Sequence, residues 1–276
     1  MTNRPATVRV RETDLEEHLD SIEDVPAAVV CARCGRPDCS GCIPPDETTL
    51  PSGVISIVPW ERPGSSWWAR LWLTARAATR AAPQFFQSLP PGDYAAAIRF
   101  AVLTELLAVG SWAVFILLIA TAAAPSIMWA LFVEPGTQAV MVRLFVFGVL
   151  GFASVLVLGH VVHGLALEQG ALRQGASSHR SHVLRYALYS TGWDILSSPI
   201  GLLLTLTTEG PRAALALLPL AIDVPSQAST GLLRGVFHLQ EPHLSYARRF
   251  ATLLAMVVSV AATATVMFLL TLIAAI

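Results

Sequence analysis

The chain has no lysine; all 18 of its basic residues are arginine. With its abundance of alanine, this reads as the codon bias of a GC-rich, bacterial genome and carries no mechanistic information. Charge of either sign is scarce, at 13% of residues against 54% hydrophobic. Cysteine is confined to four positions, 31, 34, 39 and 42, and Arg33 and Arg36 are the only basic residues between them, with acidic flanks. No basic surface of the kind nucleic acid requires is therefore expected. The first 25 residues hold no apolar run such as a cleaved signal peptide needs, so the first membrane span is expected to direct insertion itself. The HExxH spacing of zinc hydrolases is missing, as is any nucleophile–base constellation, which argues against an enzyme.

Long apolar runs are what the chain has in quantity. About 20 apolar residues at 1.5 Å rise cover the roughly 30 Å hydrocarbon core of a bilayer. Five stretches qualify, at 94–124, 139–167, 183–208, 211–236 and 249–276, while 126–133 is too short and is expected at the interface or within the first hairpin. The predicted fold class is an all-α membrane protein, a five-span transmembrane helix bundle with a small N-terminal zinc knuckle and an interfacial amphipathic helix. Orientation follows from arginine. Arg70, Arg76 and Arg80 precede the first span, Arg173, Arg180 and Arg185 flank the loop between spans two and three, and Arg234, Arg248 and Arg249 flank that between four and five. All three groups fall on one side, and the opposite loops hold only Glu134, Glu209 and Arg212. The positive-inside rule then puts the N-terminus in the cytoplasm and the C-terminus outside, in a bacterial inner membrane.

Ahead of the spans, residues 1–61 carry eleven acids against five arginines. Residues 1–25 read as an acidic, solvated tail, although Thr13 and Glu16 make a capping box and Leu15, Leu19 and Ile22 share a helical face that could dock on a partner. Residues 26–48 contain Cys31-Ala-Arg-Cys34-Gly-Arg-Pro-Asp-Cys39-Ser-Gly-Cys42. Two CxxC pairs can each grip one metal, and four thiolates around tetrahedral Zn2+ make a closed, structural site with no open position for catalysis. Two disulfides compete with this reading but need an oxidising compartment, and an iron–sulfur cluster has other spacings. A cytoplasmic head favours zinc. Residues 49–64 form a Pro-rich linker. Residues 65–89 form an amphipathic segment with Trp67, Trp68 and Trp72 on its apolar side and Arg70, Arg76 and Arg80 largely on the other, expected to lie at the membrane interface with its arginines near lipid phosphates.

Within the membrane domain, 90–276, ionisable side chains away from span ends are Glu105, His160, His163, Asp194 and Asp223. Each is costly in lipid and calls for a partner or a role. The plain reading is an internal polar network that orients the bundle. A proton or ion pathway through Asp194 and Asp223 is the second reading, and His160 and His163, one turn apart, could form a metal or proton-relay pair. Pro199, Pro211, Pro219 and Pro225 are expected to break or bend spans three and four.

The order of several short motifs resembles the Yip domain family of five-span membrane proteins. They are Val58-Pro59-Trp60-Glu61-Arg62, Ala82-Pro83-Gln84-Phe85-Phe86, Gly159-His160-Val-Val-His163-Gly164, Val183-Leu184-Arg185-Tyr186-Ala187, Ser198-Pro199-Ile200-Gly201-Leu202 and Leu232-Leu233-Arg234-Gly235-Val236-Phe237-His238. The likeness spans roughly residues 58–276. It implies a non-enzymatic integral membrane protein that organises membrane or recruits a protein partner through its cytoplasmic zinc-binding head, with homo-oligomerisation open. The Asp-Leu-Tyr-Gly-Pro segment associated with eukaryotic members is missing, so their role in vesicle traffic and small-GTPase binding is not carried over. The alternative is a proton- or ion-coupled permease using Asp194 and Asp223.

Overall fold

A computed structural model describes residues 58–275 except 63, 65 and 91. The acidic tail, the four-cysteine segment and the linker up to residue 57 lie outside the described residues. The described part is helical throughout, beginning with a 3-10 turn at Pro59–Glu61. Ten α-helices follow: α1 Trp67–Arg80, α2 Ala82–Gln87, α3 Tyr94–Ala123, α4 Pro125–Val133, α5 Pro135–Leu172, α6 Arg180–Ser190, α7 Gly192–Ser197, α8 Pro199–Glu209, α9 Pro211–Gly235 and α10 His243–Ala275. Local chemistry sets many of the starts. Ser66 caps α1 by accepting from the Ala69 N–H, and Asp93 caps α3 by accepting from the Ala95 N–H. Proline occupies the first turn of α2, α4, α5, α8 and α9, where its missing N–H costs nothing.

Three helices are long and apolar enough to cross a membrane: α3 with 30 residues, α5 with 38 and α10 with 33, each with a mean hydropathy of 2.3 or 2.4 over its most apolar window. The expected third span, 183–208, is instead divided among α6, α7 and α8, none longer than 11 residues. The cause is local. Ser198 precedes Pro199 and is driven to extended geometry, with ψ of 164°, and its hydroxyl caps α8. The expected fourth span is one continuous helix, α9, which runs through Pro219 and Pro225 and carries Arg212 and Asp223 on its exposed side. Gly210, at φ +90°, makes the tight turn between α8 and α9.

Burial is uneven along the long helices. One end holds the core: Ala97, Phe100 and Ala101 of α3, Leu167 and Ala171 of α5 and Leu244, Ala247 and Ala251 of α10 are buried. α1, α2, α6, α7 and the second half of α9 pack around them, bringing in Leu71, Phe86, Tyr186, Ile195 and Leu232. Toward the other end large apolar side chains face outward, including Ile116, Leu118, Trp129, Phe147, Val257 and Phe268. So broad an apolar exposure is a liability in water and the ordinary condition in lipid. α5 and α10 run antiparallel in close contact through small residues. A Cβ added at Gly151 would lie 2.9 Å from Val266 Cγ1, one at Gly159 2.9 Å from Ser259 Oγ, and one at Gly170 2.8 Å from the Ala247 backbone.

α1 is a packed helix. Leu71, Ala75 and Ala78 are buried against the core, and Trp67 stays half exposed. Its arginines face protein groups: Arg70 donates to the carbonyls of Trp60 and Arg62, and Arg76 and Arg80 both pair with Glu209 at the end of α8. These three cations, expected near lipid phosphates, thus also have partners within the molecule.

Candidate functional site

Glu105, His160 and Asp194 come from three separate elements and converge. Glu105 lies on the buried stripe of α3 with Ala97, Ala101, Thr104 and Ala108, a spacing that keeps one helical face turned inward. His160 follows Gly159, where α5 meets α10 closely. Asp194 sits in the first turn of α7, and Gly192 lets that turn approach α1, since a Cβ there would stand 3.0 Å from the Ala75 backbone. One donor atom from each of the three residues lies within 4.8 Å of the others. His160 Nε2 is 2.6 Å from Asp194 Oδ2 and 3.6 Å from Glu105 Oε1. Glu105 is fully buried, and its carboxyl group lies against both the Asp194 carboxyl and the His160 ring.

The surroundings determine where the histidine proton lies. Ser190 Oγ is 2.7 Å from the Ala187 carbonyl, which can only accept, so the one hydroxyl proton goes there. The 2.9 Å contact between Ser190 Oγ and His160 Nδ1 is then donated by the Nδ1–H. A neutral His160 consequently turns the bare lone pair of Nε2 toward two carboxyl groups. Three acceptors do not face one another at these distances without a proton or a metal ion among them. A shared proton fits the 2.6 Å contact as it stands. A metal ion with bonds of about 2.0–2.2 Å would hold two donors roughly 3 Å apart, so a small separation of His160 from Asp194 would admit one. One imidazole and two carboxylates suit zinc, manganese or iron, and Ser190 is the outer partner that orients a ligating histidine. Trp193, with its ring 5.2 Å from that of His160, walls the centre, and Thr104 bonds Thr191 at 2.8 Å beside it. Asp194, at 27% side-chain exposure, is its open edge.

The other two members of the expected network lie elsewhere. His163 turns toward a cleft between α5, α9 and α10, and Asp223 is exposed on α9. The pathway expected to combine Asp194 with Asp223 is thus divided between a half-buried centre and an outer surface. Two polar clusters went unread in the sequence. Arg185, 1% exposed, pairs with Glu61 at 2.6 Å, and Tyr189 Oη donates to the same Glu61 oxygen at 2.5 Å. This joins the 3-10 turn to α6, and the Trp60 indole N–H adds a 2.8 Å bond to the Ala96 carbonyl. Buried Glu168 accepts from Ser178, the His179 N–H and Arg180, closing the α5–α6 loop. An arginine counted as a topology signal and an acid near a span end gave no sign in sequence that they would meet such partners. Compared with protein family models, curated proteins and solved structures, the chain matches none of them, and its site stands on its own geometry.

Proposed function

We propose that this is an integral membrane protein whose membrane part takes up a cation, a proton or a divalent transition-metal ion, at Glu105, His160 and Asp194. The observation that carries the reading is the convergence of the fully buried Glu105 carboxyl group on the His160–Asp194 pair, one donor atom from each lying within 4.8 Å of the others. The chain crosses the bilayer three times, through α3, α5 and α10, and the α8–α9 hairpin stays on the arginine-rich side, a reading supported by the ion pairs of Glu209 with Arg76 and Arg80. On this reading the head faces the cytoplasm and the C-terminus lies outside, as an odd number of crossings requires. The Yip-like motifs and the zinc-binding Cys31, Cys34, Cys39 and Cys42 belong to the same proposal: the head recruits a protein partner, and the membrane part carries the cation centre. Coupled transport is the second reading, favoured by the open edge at Asp194.

The test uses the full chain in proteoliposomes, with a pH-sensitive dye inside and metal content measured by mass spectrometry. A cation centre predicts either proton uptake or one metal beyond that lost in a Cys31→Ser, Cys34→Ser variant, and its disappearance in Glu105→Gln and Asp194→Asn. Sustained flux that stops in Asp194→Asn selects transport. Neither uptake nor metal in folded wild-type protein ends the cation reading.

A further inference from the structure

We infer that the cleft between α5, α9 and α10 is a site for the phosphate headgroup of an anionic phospholipid. The cleft has a volume of about 560 Å³, within the range of small-ligand sites. Arg248 and Arg249 of α10 line it with Ser226 and Ser229 of α9, and His163 of α5 forms its inner wall. Arg248 Nη1 donates to Ser226 Oγ at 2.8 Å and more weakly to Thr230 Oγ1 at 3.4 Å, so its guanidinium is held in the cleft by hydroxyls.

The charge balance distinguishes this cleft from the other arginine clusters. Arg76, Arg80, Arg180 and Arg185 each have a carboxylate within 4.0 Å, whereas among the described residues neither Arg248 nor Arg249 has one. Asp223, one residue along from the cleft-lining Ile222, pairs with neither. Among the described residues the His163 imidazole has no hydrogen-bond partner, and it can donate from one ring nitrogen whatever its tautomer. Two guanidinium groups, an imidazole and hydroxyls left without an acid form a receptor for an oxyanion.

Apolar residues at the mouth favour a lipid over a free anion. Ile222, 81% exposed, and Leu253, 60% exposed, flank the cleft, and Val257 and Val260 continue the exposed apolar track along α10. Arg248 and Arg249 stand within the first two turns of that helix, at the end where the arginines of the molecule gather. A phosphate held there leaves its acyl chains lying along α10 toward the hydrocarbon core, the arrangement of basic pockets between transmembrane helices. This inference rests on α10 crossing the membrane and is independent of the cation centre.

The test is native mass spectrometry of the delipidated full-length protein with added phosphatidylglycerol or phosphatidylcholine. Wild type is expected to retain phosphatidylglycerol preferentially, and Arg248→Gln, Arg249→Gln together to lower that retention about 30-fold, the effect of two arginine contacts near a charged surface. Arg248→Lys, Arg249→Lys keeps the charge but loses the fork geometry, so it should show a smaller loss, and it carries the test if the glutamine pair does not fold. Arg212→Gln, on the exposed face of α9, should behave as wild type. Equal retention of the two lipids, or retention unchanged in the folded arginine variants, overturns the assignment. Displacement of phosphatidylglycerol by an equal concentration of inorganic phosphate overturns it in favour of a free-anion site.

Discussion

At the scale of single residues, the proposed cation centre consists of three side chains that three separate helices bring within 4.8 Å of one another. Glu105, His160 and Asp194 are conspicuous because an ionisable side chain in an apolar run has a cost that must be met. His163 and Asp223 carry the same signal and go elsewhere, because which face of each helix meets which neighbour is not written in one-dimensional spacing. The geometry predicts opposite responses at the centre. Glu105→Gln replaces the buried carboxyl group by an amide that can still donate to Asp194 or to His160 Nε2, so thermal stability in detergent should hold or rise slightly while cation uptake is lost. Asp194→Ala leaves His160 without its partner and should cost about 1–3 kcal/mol of unfolding free energy. Arg185→Ala breaks a buried ion pair and should cost about 3–5 kcal/mol, measured against Glu61→Gln in a double-mutant cycle. Near-additive effects of those two changes would show that the pair is not coupled.

At the scale of elements, a capping side chain or a first-turn proline stands at the start of α3, α4, α5 and α9, at Asp93, Pro125, Pro135 and Pro211. The division of 183–208 was legible only in part. Pro199 marks the break before α8, while the stop at Thr191 follows from packing of α7 against α1 and α3. Gly151, Gly159 and Gly170 of α5 hold α10 close, and Gly170 has the least room because its neighbour is backbone. Gly170→Leu should destabilise the fold by about 1–3 kcal/mol or more through overpacking. Gly136→Leu, which meets open space, should be nearly silent. Thermal melts of the two variants in one detergent compare them directly, and equal melting temperatures would refute close α5–α10 packing.

At the scale of the whole molecule, the structure places a packed, polar-containing end beside a splayed apolar one, and the difference between three and five crossings depends on where the α8–α9 turn lies. In a cysteine-free background, Thr208→Cys should be labelled by an impermeant maleimide from the same side as the N-terminal head, and Gly136→Cys from the opposite side. Labelling of both from the opposite side would restore the five-span topology expected from hydropathy alone. Helical class and the apolar runs that become α3, α5 and α10 were determined by the sequence itself, because length and hydropathy are local sums along the chain. Tertiary structure alone decided that Arg76 and Arg80 pair with Glu209, that Arg185 is buried with Glu61, and that Glu105, His160 and Asp194 meet. Those pairings join residues tens of positions apart, and their energies depend on burial and distance, which exist only once the helices have packed.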